Sequence, residues 1–222
     1  MVVNHDIKIK KLEDLIGMNI FEYAEYKGID SKYTNILKNI MEDDIKDRLQ
    51  SNWYRKDKRT ELEYGKELVI SYLEQCFLID YFNLLHNRSY IPDGCDKEEI
   101  IKYDQITNDP DLKTEKGIKI EIVTDWTGYW LKHKKLHLRD SKFEHLLELS
   151  KKEKVYLLLI ELADPYNFMY QFIEVNDKLQ ATRKYLPQFQ KEGSEIILDQ
   201  NNWKKFRRVH QRYSQSNTSC EG

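Results

Sequence analysis

The chain has 222 residues, 40% of them hydrophobic and 33% charged, with 36 Lys and Arg against 38 Asp and Glu and a net charge of -2. That is a globular composition and not a disordered one, long enough for one α/β core with a helical extension. With 8 Gly and 4 Pro there is little room for Gly-rich loops, and neither a Walker-type phosphate loop nor a dinucleotide fingerprint is present. Near-balanced charge leaves nucleic-acid binding open, since a local basic patch suffices. Cys76, Cys95 and Cys220 form no CxxC and no paired spacing, which argues for a reducing compartment and for Cys76 as a buried thiol. Met1 to Lys11 has no signal-like apolar stretch, and no window approaches the roughly 18 apolar residues of a membrane span. A cytoplasmic location is expected.

In chain order, Leu12 to Tyr26 and Lys32 to Leu49 carry apolar residues at three- and four-residue intervals and predict helices, the second capped by Asp30 or Ser31. Tyr54 to Glu61, with Arg55, Lys56, Lys58 and Arg59, reads as a solvated loop. Glu61 to Leu85 is the strongest helix, apolar on most sides and therefore central to a core. Asn87 to Asp96 reads as a turn region and Ile100 to Thr107 as partly extended. From Gly117, Ile118, Ile120 and Ile122 alternate with Lys119, Glu121 and Val123, a period-2 strand. Tyr129 to Leu138 predicts an extended or hairpin segment, and Ser141 to Ser150 a short helix. Val155 to Glu161 is a near-continuous apolar run, as in a buried central strand. The turn Asp164-Pro165-Tyr166-Asn167 should return the chain antiparallel through Phe168 to Val175. Asn202 to Tyr213 is basic, aromatic and helix-like, and Ser214 to Gly222 a disordered tail.

Chemistry concentrates between residues 109 and 125. Asp109-Pro110-Asp111 forms a turn, and Glu121 follows on a strand. Two carboxylates at neighbouring strand ends can converge on one hard cation. Magnesium takes oxygen ligands and keeps several waters, so two carboxylates and a backbone carbonyl are a sufficient protein share. Such an ion polarises a phosphoryl oxygen and lowers the pKa of bound water. Taken singly, Asp-Pro-Asp is a common turn and a strand Glu commonly faces solvent. Asp125 and Asp109 lie close to the same segment.

Asp111, nine intervening residues and Glu121 on an isoleucine-rich strand resemble the PD-(D/E)XK nuclease superfamily, the restriction-endonuclease-like fold. The resemblance covers roughly residues 60 to 180. Gly65-Lys66-Glu67 opens the long helix where that superfamily often carries an extra acid, and the later elements follow its usual order. It implies an α/β core, a mixed β-sheet flanked by helices, over 61–213, behind an N-terminal helical extension, 1–60. It implies Asp111, Glu121 and the Ile122 carbonyl as metal ligands, Mg²⁺ as cofactor with Mn²⁺ as substitute, and Glu67 as an outer or second-metal carboxylate. The motif lysine should fall two residues after Glu121, where Val123 stands. Lys142, Arg139 and Lys132 are candidate replacements, and Lys119 shares the strand face of Glu121.

Lys132, His133, Lys134, Lys135, His137 and Arg139 could grip phosphates beside a metal, or form an exposed hairpin of mixed charge. Trp203, Lys204, Lys205, Phe206, Arg207 and Arg208 suit nucleic-acid contact through Lys204, Lys205, Arg207 and Arg208, or an amphipathic segment docked by Trp203 and Phe206. Trp126 and Trp130 belong to the core or form a platform for a base. The expected activity is Mg²⁺-dependent DNA endonuclease, as in a type II restriction enzyme acting as a homodimer. The alternatives are an inactive nuclease fold that binds nucleic acid, a protein-interaction domain with a chance motif, and an RNA-directed nuclease.

Overall fold

Each of the two predicted N-terminal helices is broken once, so that the segment folds as four helices. α1 (His5–Ile16) ends where Gly17, at φ 81°, donates its N–H to the Glu13 carbonyl. α2 (Ile20–Tyr26) restarts at Asn19, whose side chain accepts the Phe21 N–H. The predicted single helix from Leu12 to Tyr26 is therefore two, because a left-handed residue ends a helix. The predicted helix from Lys32 to Leu49 likewise divides into α3 (Ser31–Leu37), capped by Asp30, and α4 (Asp43–Ser51), with Asn39 at φ 64° between them. This computed structural model describes residues 4–51, 59–94, 109–189 and 191–207. The expectations for residues 52–58, for Ile100 to Thr107, for Arg208 and for the C-terminal tail lie outside the described residues.

α5 (Glu61–His86) opens on a capping box between Thr60 and Glu63 and closes on Asn87 in the left-handed region. It buries Val69, Ile70, Leu73, Phe77, Leu78, Tyr81 and Phe82, each side chain worth about 1.5–3 kcal/mol of burial. Against the expectation that no window approaches a membrane span, α5 is long and apolar enough to cross one by length and composition, but more than half of that window is buried inside the fold. In the fold, α1, α3 and α4 pack along it, and one continuous core joins it to the N-terminal helices and to one face of the main sheet.

That sheet has six strands in the order β1-β2-β3-β5-β6-β9. They are β1 (Tyr90–Pro92), β2 (Leu112–Thr114), β3 (Lys119–Asp125), β5 (Val155–Glu161), β6 (Met169–Val175) and β9 (Lys204–Lys205). β3 and β5 are parallel and the other pairings antiparallel. On β3, Ile120 and Ile122 pack towards α5, while Val123 packs in a second core. On β5, Leu158 and Ile160 face α5 and Val155, Leu157 and Leu159 face the second core. Burial on both faces explains the unbroken apolar run of β5, and β6 returns antiparallel to it as predicted.

The second core lies under α7 (Asp140–Ser150) and a three-stranded antiparallel sheet, β4 (Lys135–Arg139), β8 (Lys191–Ile197) and β7 (Ala181–Leu186), in the order β4-β8-β7. Gly193 is required there: a Cβ would lie 2.7 Å from the Leu138 carbonyl oxygen and would also collide with the Leu186 side chain. Tyr129 to Leu138 is not one extended segment. It is α6 (Tyr129–His133), a left-handed Lys134, and β4. The predicted helix at Asn202 is instead a short 3-10 turn (Gln200–Asn202) leading into edge strand β9. The molecule is thus a mixed α/β protein, a mixed sheet flanked by helices with a helical N-terminus.

Candidate functional site

Strand register brings the two predicted acids together. β2 and β3 pair Leu112 with Ile120 and Lys113 with Lys119. Continued by one residue, that register sets Asp111 opposite Glu121, and opposed residues share a face. The Asp111 backbone is held in place: its carbonyl accepts from Gln75 Nε2 at 2.8 Å and from the Asp93 N–H at 2.9 Å. Its carboxylate Oδ2 accepts the Ile122 N–H at 2.7 Å. In a strand, a residue's N–H and C=O leave by the same edge, so the Ile122 carbonyl opens on the Asp111 side.

Glu121 lies on the sheet face covered by α7, with its side chain 12% exposed and Lys142 Nζ from α7 at 2.8 Å from Oε2. Burial, and then the Asp111 charge, push its carboxyl up to about 8, while Lys142 pulls it down. Of the four cations weighed as replacements for the motif lysine, Lys142 is the one ion-paired with Glu121. Lys119 is engaged with Asp93 at 2.5 Å and Glu153 at 3.8 Å. Lys132 is exposed on α6, and Arg139 is exposed at the end of β4.

The acid that α5 brings towards Asp111 is Glu74, not Glu67. Glu74 is 4% exposed, accepts from Thr124 Oγ1 at 2.5 Å, and is pushed up to about 7 by burial, with the Asp111 charge contributing. Glu67 stands two turns earlier, about 10 Å along the axis. There it pairs with Lys8 at 2.6 Å and His5 at 3.2 Å. The expected outer carboxylate is therefore an anchor for α1. The signal for Glu74 was available: Glu74-Gln75 interrupts the most apolar helix of the chain, between Leu73 and Phe77. A charged residue placed there must meet a partner or a function.

A second acid pair occupies the C-terminal ends of the parallel strands, where Asp125 is in register with Glu161. The Asp125 carboxylate accepts from the Thr127 N–H at 2.8 Å, the Thr127 hydroxyl at 2.7 Å and the Trp130 N–H at 2.9 Å. Glu161 accepts the Ala163 N–H at 2.9 Å and is pushed up to about 8, first by burial and also by Asp125. Lys11 bridges the two following loops through the Trp126 and Ala163 carbonyls at 2.8 and 2.9 Å. These acids fold the loops behind β3 and β5. Trp126 packs on the α5 core under the Lys8 ammonium, and Trp130 stacks on Trp203 at 6.3 Å.

The predicted phosphate contacts divide. Lys135 and His137 on β4 reach Glu195 at 3.1 and 2.9 Å, with Lys184 from β7 on the same carboxylate. Lys184 above all, with His137 and Lys135, holds Glu195 down to about 2. Lys134 is exposed, its backbone tied to Leu198. Lys204, Lys205 and Arg207 are exposed along β9, while Trp203 and Phe206 dock into the two cores.

Among the described residues, no group of three or more His, Cys, Asp or Glu side chains is arranged to hold a metal ion by itself. Asp111, Glu121 and the Ile122 carbonyl could together offer two carboxylates and a backbone carbonyl, a set that suits a hard divalent cation retaining waters. Burial and the Asp111 charge already raise the proton affinity of Glu121. No family model, no curated protein and no solved structure matches the chain.

Proposed function

We propose that the chain is a Mg²⁺-dependent DNA endonuclease with a restriction-endonuclease-like core, of the kind found in type II restriction enzymes. The observation that carries this reading is the Lys142 ammonium, 2.8 Å from Glu121 beside Asp111. It brings from α7 the cation that Val123 does not provide from β3. Asp111, Glu121 and the Ile122 carbonyl would hold the ion, which on binding supplies Lewis acidity and a more acidic water.

The chain's own residues do the rest. The Ile122 N–H orients the Asp111 carboxylate, and Gln75 and the Asp93 N–H hold its backbone. Lys142 keeps a positive charge where negative charge grows on a scissile phosphate, a preorganised electrostatic contribution. Burial of Glu121 by α7 limits bulk water, so charges there act more strongly than at the surface.

The test is cleavage of supercoiled plasmid in millimolar Mg²⁺ or Mn²⁺, with an RNA substrate alongside. Wild-type protein should nick and linearise the plasmid. Asp111→Ala and Glu121→Ala should each lose about a thousandfold in rate, roughly 4 kcal/mol of barrier. Glu67→Ala should cleave as wild type. Equal cleavage by the Asp111 and Glu121 variants would sink the assignment, and so would no cleavage by wild type with either metal.

A further inference from the structure

A groove of about 620 Å³ lies past the C-terminus of α5, at the end of the sheet where β3 and β5 begin. Among the described residues its charged lining is entirely basic: His86, Arg88, Lys116 and Lys154. Its floor is aromatic, with Tyr156 and Phe172 half-buried. A second groove, of about 500 Å³, shares His86 and continues past Tyr170 to Lys204, Lys205 and Arg207, again without an acidic residue among the described residues of its lining. In a chain with 36 basic and 38 acidic residues, six Lys and Arg of one sign along two joined grooves is a segregated field. His86 feels cations of both grooves: burial first, then Arg88 and Lys204, hold its pKa below the ordinary value. Lys154 lies over the Tyr156 ring at 5.5 Å, with the exposed Glu174 across the strand from that ring.

We infer that these joined grooves bind an unpaired nucleic-acid strand, with phosphates on Arg88, Lys116, Lys154 and Lys204 and a base against Tyr156 and Phe172. Cations interleaved with accessible rings are what a single strand needs, since its bases are free to stack and its charge is continuous. A duplex hides its base faces and would use the cations alone. A flat anionic membrane cannot reach a concave aromatic floor. The inference does not depend on the metal site, because the groove uses neither Asp111 nor Glu121.

The experiment is fluorescence anisotropy with a labelled ten-nucleotide oligo-dT in EDTA, over a range of salt. A hairpin duplex and phosphatidylserine vesicles serve as competitors. Wild type should bind, with log K falling as log salt rises. The triple variant Arg88→Glu, Lys116→Glu, Lys154→Glu should bind at least tenfold more weakly and lose roughly 2 from the salt slope, about 0.7 per phosphate contact. Tyr156→Ala should weaken binding roughly five- to a hundredfold while leaving the slope unchanged. Asp111→Asn should bind as wild type, so the groove can succeed where the nuclease reading fails, and the reverse. Should the triple variant not fold by circular dichroism, Lys116→Glu alone, in the exposed β2–β3 turn, should still lower the slope. Unchanged binding by these variants would overturn the proposal. So would displacement of oligo-dT more readily by duplex or vesicles than by unlabelled oligo-dT.

Discussion

The strand β3 carries two acids that look alike in sequence and meet opposite fates. Asp125 is 7% exposed and its two oxygens are taken by two backbone N–H groups and a hydroxyl of the loop that follows. Glu121, four residues earlier on the same face, meets a lysine from another helix and the charge of Asp111 across the strand. The acid beside each differs too. Glu161, next to Asp125, takes a backbone N–H of its own loop, whereas Asp111 is oriented by a backbone N–H of the neighbouring strand. Both ends of the strand thus hold an acid pair that includes a carboxyl with its pKa raised by burial. What differs is the donor: loop backbone N–H groups at Asp125, and a lysine side chain from a distant helix at Glu121.

The largest expected effect separating the two regions is catalytic. Lys142→Ala should slow plasmid cleavage about a hundredfold, within the range for one electrostatic group at a reacting phosphate. Adding Val123→Lys to that variant should recover about tenfold, since it returns a cation two residues after Glu121. Lys11→Ala removes the lysine of the other region and should leave cleavage per folded molecule unchanged. A Lys142→Ala variant as active as wild type would erase the contrast.

Next in size is stability. Asp125→Asn sets an amide donor against one of the N–H groups of Thr127 or Trp130, and should cost about 2–4 kcal/mol. Urea unfolding would read this as a lower midpoint at unchanged slope. Cleavage by the folded fraction should stay within about twofold of wild type. Folded but inactive Asp125→Asn protein would mean that the functional acids have been assigned to the wrong end of β3.

The smallest effect is in pH dependence. Glu161 ionises near 4.5 when unfolded and near 8 when folded. Between those values the unfolded chain holds fewer protons, so stability falls as pH rises from about 4.5 to 8. Glu161→Gln, neutral throughout, should be more stable than wild type at pH 8 by about 4 °C in melting temperature, the size of shift that roughly 1–2 kcal/mol makes in a domain of this length. The advantage should vanish by pH 4.5. Glu121 contributes with the same sign, but magnesium tells the two apart. At pH 8 it should raise the melting temperature of wild type and of Glu161→Gln alike, and leave Glu121→Gln unchanged. Stabilisation lost with Glu161 instead would reverse the assignment.

Local pattern was enough for the elements whose side chains declare their own surroundings. The capped, apolar α5, the alternating β3, the doubly buried β5 and its antiparallel return in β6 all follow from periodicities of 3.6 and 2. The spacing of Asp111 and Glu121 likewise anticipated their meeting, because a short return between antiparallel strands leaves few registers. Where a single residue changes the backbone, local reading misjudged length: Gly17, Asn39 and Lys134 each turn left-handed and end a helix. Strands β7 and β8 escaped notice because Arg183 and Ser194 share the face of Ala181 and Ile196, which belong to the second core, and so put polar residues where alternation would show apolar ones.

Tertiary structure alone decided which acids and cations meet. Glu67 and Glu74 sit on one helix and differ by two turns, so only the packing of α5 on β3 selects Glu74. Lys142 is 21 residues from Glu121, Arg88 is 66 from Lys154, and no spacing rule links either pair. Secondary structure is settled by near neighbours, whereas a site is assembled by the folding of distant segments onto a common core. That is why Asp111 and Glu121 could be read from the chain, while Lys142 could be offered only as one of several candidate cations and the basic groove at the start of β3 and β5 was not seen at all.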